Sequence, residues 1–297
     1  MRTLLASRSV KSGRIISFDG TPLHYTVTGH GSLDFVLCDG IGCDGFIWRY
    51  LKPVLESRGR VIHMHMRGHG QSGQPADVDN VHIRHIADDW SVVLAALGRR
   101  NSIVIGHSMG VQVGLELWRR HPQHVDALVL MCGSYQNPIA TFHDGSAMET
   151  LLPLLRVVAR LGGRSLSSVW RTALRLPIAF HVARLTEVHP DLTRREDFEP
   201  YLEHLSDIKP GLFFEMLTGA SQHSADHYLD EVNVPTLVVA AGGDQFTPSR
   251  LSETIAERIP DAHLLMVPDG THTAPIEFPS MINSRICGFV ESLEFSP

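Results

Sequence analysis

The sequence predicts an α/β fold in which a mostly parallel, twisted sheet has helices on both of its faces. Strands of such a sheet are buried on both sides, so they read as short, continuous apolar runs. The runs that fit are "LDFVLC", "NSIVI", "DALVLMC" and "VPTLVVAA". Segments with the apolar spacing of helices separate most of them, as the crossover connections between parallel strands require.

The remaining elements of the first half follow in order. A hairpin is predicted around Asp19-Gly20, and the strand "GRVIHMHM" comes after "LDFVLC". Apolar residues at helical spacing predict a helix that begins near Ile83 and ends at Gly98, a residue common just after helices. The helix after residue 108 should stop near His121, because Pro122 cannot continue it.

Residues 135–232 lose the alternation of strands and helices. It resumes with "VPTLVV", a helix after Pro248, the strand "AHLLMV" and a helix from about Ile276. We therefore expect a core domain built from residues 1–134 and 233–297, with residues 135–232 inserted as a helical cap, or lid.

Composition excludes several classes of protein. The chain has 297 residues, 43% hydrophobic and 20% charged, with a net charge of −6, which argues against nucleic-acid binding. No run approaches the ~18 apolar residues of a membrane span, and the N-terminal apolar run is too short for a signal peptide. Four cysteines without a CxxC pair indicate free thiols. We expect a soluble, cytoplasmic protein of undetermined oligomeric state that uses neither a metal nor an organic cofactor.

The most informative stretch is "GHSMG", residues 106–110, between a predicted strand and a predicted helix. A nucleophile at the end of a parallel sheet must point out of the sheet, and a sharp strand-to-helix turn achieves this. The flanking glycines let neighbouring backbone pass, and the helix N-terminus brings N–H groups near the serine oxygen. We interpret Ser108 as a nucleophile; the alternative is a tight turn in which the serine only caps the helix.

A serine nucleophile needs a base, and the base needs an orienting acid. For this kind of turn the chain order is serine, acid, histidine, with the partners in loops after later strands. Asp244 directly follows one such strand, and His272 follows the last one. Asp126 lies at the wrong end of its strand, and Asp269 suits a turn. The predicted catalytic triad is Ser108, Asp244 and His272.

An acyl-transfer site also needs hydrogen-bond donors for the developing oxyanion. One donor is the N–H of the residue after the nucleophile, Met109. The other comes from the loop "CDGIGCDG", and we assign it to the N–H of Ile41, just after Gly40. An ordinary glycine-rich turn is the alternative explanation of this loop.

Other histidines compete for a functional role, because the chain has 18 of them. His63 and His65 share one strand face and could in principle bind a metal. No carboxylate or thiol is spaced to complete that site, so packing roles are favoured. His107 adjoins the serine, and its side chain should point away from Ser108 as a packing or hydrogen-bonding neighbour.

With these pieces placed, the chain resembles the α/β-hydrolase superfamily over nearly its whole length. The segments that carry the resemblance are "GHSMG", "RGHGQSG", "GGDQFTP" and "GTHTAPIEFP". The resemblance implies the α/β-hydrolase fold, with Ser108 as nucleophile, His272 as general base and acid, and Asp244 as its orienter. A serine at this position argues against the haloalkane dehalogenases and epoxide hydrolases of the superfamily, which use an aspartate there.

The oxyanion loop departs from the family pattern, because family members usually have His-Gly where this chain has Asp39-Gly40. A carboxylate facing the oxyanion hole would oppose the developing negative charge. We expect Asp39 to point away and to bond N–H groups of its loop; the alternative is contact with a substrate hydroxyl. Val111, where family members often carry glycine, should not affect the chemistry.

The predicted cap divides into two halves of opposite charge. Residues 151–185 hold six arginines and no acidic residue, whereas residues 186–231 hold eleven acidic and three basic residues. Docking to an acidic carrier protein or an anionic membrane is one explanation. Pairing between the two halves is favoured, because the complementary charges are so close along the chain.

Apolar residues of the cap are numerous enough for more than one helical face, and they include Leu151, Leu154, Leu155, Val158 and Leu161. We expect some to cover the sheet and some to line a pocket above the nucleophile, which favours an apolar small-molecule substrate. The residues assigned to substrate contact are Asp39, Gly40, His107, Leu155 and Phe213. Phe213 also suits the core.

The leading functional hypothesis is a serine hydrolase that cleaves a carboxylic ester of a small or medium apolar substrate through an acyl-enzyme. The alternative is a biosynthetic tailoring hydrolase acting on a thioester, a lactone or a carbon–carbon bond. A non-catalytic binding protein is the third hypothesis, and the intact triad argues against it. Fold and triad do not separate the first two.

Overall fold

Eight strands form a single sheet in the computed structural model, which describes residues 10–98, 101–144, 147–186 and 188–294. The strands are β1 (Lys11–Ile16), β2 (Pro22–Gly29), β3 (Leu33–Cys38), β4 (Gly59–Met64), β5 (Asn101–His107), β6 (Ala127–Met131), β7 (Thr236–Ala241) and β8 (Ala262–Val267). Their order across the sheet is β1-β2-β4-β3-β5-β6-β7-β8. The pairs β1–β2 and β2–β4 are antiparallel, and all other neighbours are parallel. The predicted mostly parallel sheet is confirmed.

Helices connect the strands, and they are α1 (Lys52–Leu55), α2 (Ile83–Leu97), α3 (Met109–Arg120), α4 (Ala147–Leu161), α5 (Gly163–Arg175), α6 (Pro177–Thr186), α7 (Arg195–Asp207), α8 (Pro210–Gln222), α9 (Ser249–Arg258), α10 (Ala274–Glu277) and α11 (Pro279–Ser292). The expected end of α2 is found, with Gly98 at φ +77°. The expected C-terminal helix begins at Ala274 and is interrupted at Phe278, which separates α10 from α11.

Both faces of the sheet are covered, as its continuous apolar strands require. Along β3, Val36 packs into a core that includes residues of α2, α3 and α9. Its neighbours Phe35 and Leu37 point to the other face, where they join residues of α1, α10 and α11. This alternation follows from the two-residue period of a strand. The sheet therefore has a separate apolar core on each face. The loops that follow the carboxyl ends of its parallel strands lie together at one edge of the sheet.

All of the helices α4 to α8 lie between β6 and β7, inside the segment that was predicted to be a cap. β6 and β7 are hydrogen-bonded neighbours, with Leu128 opposite Thr236. The chain therefore leaves and re-enters the sheet at adjacent positions. The inserted segment also has a small core of its own, which contains Phe180, Phe198 and Leu202.

The opposite charges of the inserted segment pair with one another. The guanidinium groups of Arg156 and Arg160 both donate to the fully buried carboxylate of Glu215, at 2.7 Å each. Arg175 donates to Asp207 at 3.0 Å. The basic half is thus joined to the acidic half as the favoured explanation requires, and these arginines need no external anion.

Several apolar residues of α4 differ from expectation. Of the five that were expected to cover the sheet or line a pocket, Leu151, Leu154, Val158 and Leu161 are 47–82% exposed, and only Leu155 faces inward to a cavity. Apolar spacing shows which residues share a helix face, but it does not show which of two apolar faces meets the core.

All four cysteines are free thiols, as predicted, and three of them are buried. Across the ranges that the structure describes, the helices are too short or too polar to cross a membrane. The signal-peptide prediction concerns the N-terminus, of which residues 1–9 lie outside the described residues.

A buried ion pair ties the N-terminal hairpin to the sheet. Arg67, in the "RGHGQSG" segment, and Asp89, on α2, are both fully buried. The Arg67 guanidinium donates to both oxygens of Asp89, at 2.7 and 2.5 Å, and to Asp19 at 2.8 Å. The hydroxyl of Ser17 also donates to Asp89. Hairpin, loop and helix therefore meet at one charge network.

We expect Asp89→Asn to lower the free energy of unfolding by about 3 kcal/mol, because it leaves the buried Arg67 charge without its main partner. Urea denaturation followed by circular dichroism measures the change. The control is Glu199→Gln, which breaks an exposed pair with Arg195 and should cost less than about 1 kcal/mol. Equal stability of the two variants would contradict the structural role of Asp89.

Candidate active site

The backbone turns sharply at Ser108, between the end of β5 and the start of α3. Ser108 has φ 57° and ψ −122°, a region that residues with a Cβ rarely occupy. Its N–H donates to the carbonyl of Met131 on β6, at 3.1 Å, which fixes the turn to the neighbouring strand. The strained conformation projects the hydroxyl away from the sheet.

Two glycines make this turn possible. A Cβ on Gly110 would lie 2.0 Å from the carbonyl oxygen of Cys38, at the end of β3. A Cβ on Gly106 would lie 2.3 Å from the carbonyl oxygen of Gly110. Any side chain at either position would force α3 away from the strands. The spacing of the two glycines around the serine is therefore a packing requirement.

Ser108, His272 and Asp244 form one hydrogen-bonded chain. The hydroxyl of Ser108 lies 2.9 Å from Nε2 of His272, and Nδ1 of His272 lies 2.9 Å from Oδ2 of Asp244. Since a carboxylate can only accept, Nδ1 carries the proton and Nε2 is left to accept from the serine. The three residues come from the loops after β5, β7 and β8, where the sequence placed them.

The loop around Asp244 holds its carboxylate in place. Oδ1 accepts from the N–H groups of Phe246 and Thr247, at 2.8 and 2.9 Å, and Oδ2 accepts from the Thr247 hydroxyl at 2.9 Å. The Phe246 ring stacks on the imidazole of His272, with centroids 5.0 Å apart. These contacts restrict both the acid and the histidine ring to one orientation.

The backbone of His272 is held from two sides. Nε2–H of the buried His107 donates to its carbonyl at 2.8 Å. Burial, reinforced by the neighbouring His272, lowers the pKa of His107 to about 3, so this ring stays neutral. On the other side, the Glu277 carboxylate accepts from the N–H of Thr271 and the hydroxyl of Thr273. The expected packing role of His107 agrees with this geometry.

The predicted oxyanion loop lies directly against Ser108. A Cβ on Gly40 would be 3.0 Å from the Cβ of Ser108, so this position leaves little room for a side chain. Ile41 lines the same cavities as Ser108, and Met109 begins α3 immediately after it. The two predicted donors thus belong to segments beside the serine. Their role as an oxyanion hole stays a prediction.

Asp39 lines neither of the cavities that Ser108 lines, and its carboxylate bonds two side chains rather than N–H groups of its loop. It is 3% exposed, and its carboxylate accepts from the indole N–H of Trp48 and from Nε2 of His63, at 2.6 Å each. Burial alone would lower the pKa of His63. The charge and the hydrogen bond of the Asp39 carboxylate together outweigh burial, so the pKa of His63 lies above its ordinary value. The raised pKa favours the positively charged form of His63, which counters the negative charge of Asp39.

His63 and His65 also have carboxylate neighbours that sequence spacing did not reveal. Asp44 lies 3.4 Å from Nε2 of His65 and 3.6 Å from Nδ1 of His204. The N–H of Gln71 donates to Nδ1 of His65 at 2.9 Å, so in the neutral ring Nε2 carries the proton and has no lone pair for a metal. We interpret these side chains as a cluster held by charge contacts rather than as a metal site.

Two cavities meet at Ser108. The larger has a volume of about 530 Å³ and is mostly apolar; its walls include Leu155, Trp170, Leu174, Ile178, Phe213 and Phe214. The smaller, of about 60 Å³, lies beside His272 and His107. Of the residues assigned to substrate contact, Leu155 and Phe213 line the larger cavity and His107 lines the smaller.

A further cavity of about 560 Å³ touches Asp44 and His204 but none of the predicted triad.

Three residues that shape the site were not identified from the sequence, and these are Trp48, Thr247 and Glu277. Thr247 follows Asp244 at a spacing typical of side-chain-capped turns, which is a usable local signal. Trp48 and Glu277 gave no such signal, because they act on residues brought near them by the fold.

Comparisons with known proteins agree with this architecture. A family model of the alpha/beta hydrolase fold matches residues 35–161, and a model of TAP-like proteins matches residues 216–294. A protein of Azorhizobium caulinodans named "Putative carbamate hydrolase RutD" is 28% identical over 274 residues, which cover 92% of this chain and 96% of that protein.

Solved structures share the fold. A hydrolase from Pseudomonas aeruginosa PA01 superposes with a TM-score of 0.76 at 23% identity, covering 95% of this chain and 99% of the other. A thermophilic esterase from Thermogutta terrifontis gives a TM-score of 0.72 at 22% identity, covering 95% and 98%. Together with the sheet and the turn at Ser108, these findings show that the chain belongs to the α/β-hydrolase superfamily.

The Asp39–His63 pair leads to a testable change in titration. In Asp39→Asn, we expect the pKa of His63 to fall, because burial then acts without its opposing carboxylate. NMR titration of the histidine rings measures it, with His63→Gln to assign the signal. The control, Asp226→Asn, removes an exposed carboxylate bonded to Arg258 and should leave His63 unchanged. An unaltered His63 titration in Asp39→Asn would refute the ion pair.

Proposed function

We propose that this hydrolase cleaves carboxylic esters of apolar acids through a covalent acyl-enzyme on Ser108. The observation that carries the proposal is the unbroken hydrogen-bonded chain from Ser108 through His272 to Asp244, with both bonds at 2.9 Å. A serine hydroxyl becomes an effective nucleophile when a neighbouring base removes its proton during attack. These two hydrogen bonds hold His272, the proposed base, in the one tautomer that can accept the serine proton.

In the first half of the reaction, the Ser108 oxygen attacks the ester carbonyl while Nε2 of His272 takes the hydroxyl proton. Negative charge moves to the carbonyl oxygen, where the N–H groups of Ile41 and Met109 would stabilise it. The intermediate then collapses: the bond to the alcohol oxygen breaks, and that oxygen takes the proton from Nε2. Asp244 keeps Nδ1 protonated and stabilises the transient imidazolium.

In the second half, water replaces the alcohol. Nε2 of His272 removes a proton from the water as its oxygen attacks the acyl carbon, and the proton then passes to the Ser108 oxygen when the ester bond to the enzyme breaks. The carboxylic acid leaves and the serine regains its hydroxyl. Each step uses the same two nitrogen atoms, so one histidine orientation serves both halves.

The large cavity favours an apolar acid. Two of its polar lining groups already have protein partners, since the Gln112 amide donates to the carbonyl of Ala220 and the Ser134 hydroxyl donates to the carbonyl of Gln136. A hydrocarbon leaves these bonds intact. Carbamate, the substrate class in the name of the A. caulinodans relative, has about four heavy atoms and would leave most of the 530 Å³ empty.

We expect turnover of ethyl esters in a series from acetate to dodecanoate, with an optimum at intermediate or long acids that fill the large cavity. A pH-stat measures the released acid. Ser108→Ala and His272→Ala should each lose on the order of 10⁴-fold or more, because the triad acts as a unit. Ser57→Ala, at an exposed serine far along the chain from these residues, is the matched control.

Labelling with a fluorophosphonate separates the possible outcomes of this series. Labelled Ser108 without ester turnover favours the alternative, a tailoring hydrolase for a thioester, lactone or carbon–carbon bond. Full activity in Ser108→Ala rejects the serine mechanism. Failure of both labelling and turnover favours the non-catalytic binding protein.

Activity should fall on the acid side of neutral pH, because protonated Nε2 of His272 can no longer accept from the serine. The measurement is kcat/KM for an ethyl ester across the pH range, with folding checked by circular dichroism at each point. A rate that stays constant down to about pH 4, where histidines are normally protonated, would exclude His272 as the base.

A further inference from the structure

The two cavities at Ser108 differ in which catalytic partner they contact. The cavity of about 530 Å³ is lined by Ser108 and by both predicted oxyanion residues, Ile41 and Met109, but not by His272. The cavity of about 60 Å³ is lined by Ser108, Ile41 and His272. The nucleophile therefore stands between a large chamber and a small one, and the base faces only the small one.

The chemistry of the proposed reaction assigns a substrate part to each chamber. The departing alcohol oxygen must receive the proton held on Nε2 of His272, so it has to lie within hydrogen-bond reach of that atom. It therefore belongs in the small chamber. The remaining substituent of the carbonyl carbon, which is the acid portion, extends into the large chamber.

The small chamber has firm walls. Its apolar side is formed by Phe46 and by residues of the inserted segment, including Val188, Phe198 and Tyr201. The rings of Phe46 and Phe198 lie 5.9 Å apart, edge to face, and those of Phe198 and Tyr201 lie 5.2 Å apart. Val188 and Phe198 are almost fully buried. Packed aromatic rings of this kind cannot give way to a long chain without losing contacts.

The volume of the small chamber sets the size of the leaving group. About 60 Å³ is room for roughly four to six water-sized spheres at about 10–15 Å³ each. A methoxy or ethoxy group fits, and so does the water that must reach the acyl carbon in the second half of the reaction. A long alcohol or a carrier-bound thiol does not.

We propose that the substrates are methyl or ethyl esters of bulky apolar acids, so that the enzyme releases methanol or ethanol and a hydrophobic carboxylic acid. The proposal rests on the serine-ester mechanism above and adds the orientation of the substrate. The reaction balances as ester plus water giving acid plus alcohol, with no further reactant. A preceding reaction in such a sequence would be one that esterifies an apolar acid with a small alcohol.

Methyl decanoate and nonyl acetate test the orientation, because they are isomers with the large group on opposite sides of the ester. We expect kcat/KM for methyl decanoate to exceed that for nonyl acetate by about tenfold or more, since only the first places its chain in the large chamber. Equal rates, or a preference for nonyl acetate, would overturn the assignment of the chambers.

A pair of variants tests the same point through the walls. Val188→Ala enlarges the small chamber, and it should raise kcat/KM for butyl decanoate relative to methyl decanoate by about fivefold. Phe198→Leu provides a second enlargement if Val188→Ala does not fold. The matched control is Leu155→Ala in the large chamber, which should change the preferred acid length and leave the butyl-to-methyl ratio as in the wild type. An unchanged ratio in folded Val188→Ala and Phe198→Leu would overturn the proposal.

Fluorophosphonate labelling distinguishes this failure from failure of the proposed function. If Ser108 is labelled and nonyl acetate is the better substrate, the serine mechanism stands and the chamber assignment is wrong. If neither isomer is cleaved and Ser108 is not labelled, both the serine mechanism and the chamber assignment are wrong. Labelled Ser108 with no turnover of either isomer rejects simple alkyl esters as substrates.

Discussion

The close approach of helix α3 to the ends of β3 and β5 is the constraint on which the site depends. Backbone atoms pass so near to Gly106 and Gly110 that no side chain fits at either residue. The intervening Ser108 must then adopt a positive φ, and the cost of that strain, of order 1–3 kcal/mol, is met by packing on both sides of the turn. The exposed hydroxyl, the start of α3 at Met109 and the contact with Gly40 all follow from this approach.

Asp244 and His272 are held by polar contacts rather than by backbone strain. Asp244 is fixed by the turn that it caps, and His272 is held through its carbonyl by a neutral His107. Glu277 extends this support outward, because it accepts both from Thr271 in the histidine loop and from the N–H of His189 in the inserted segment. The inserted segment and the loop that carries His272 thus share one carboxylate.

Much of this arrangement could be predicted from sequence because the signals are local. Continuous apolar strands give the parallel sheet, and the serine turn and the positions of Asp244 and His272 follow from chain order. The role of Asp39 could not be predicted, since its partner His63 lies on β4 and meets it only when β4 pairs with β3. The exposed face of α4 was missed because both of its faces are apolar, and the two chambers depend on walls drawn from distant parts of the chain.

The insertion of helices α4 to α8 between two paired strands has a consequence for how the protein can evolve. β6 and β7 remain hydrogen-bonded neighbours whatever the length of chain between them, because the entropy of closing a loop rises only slowly with its length. The large chamber at Ser108 draws most of its walls from this one insertion, which also supplies Val188, Phe198 and Tyr201 to the small chamber. Exchange of a single contiguous stretch of the gene could therefore reshape the cavities beside Ser108, while the proposed catalytic residues Ser108, Asp244 and His272 are inherited intact.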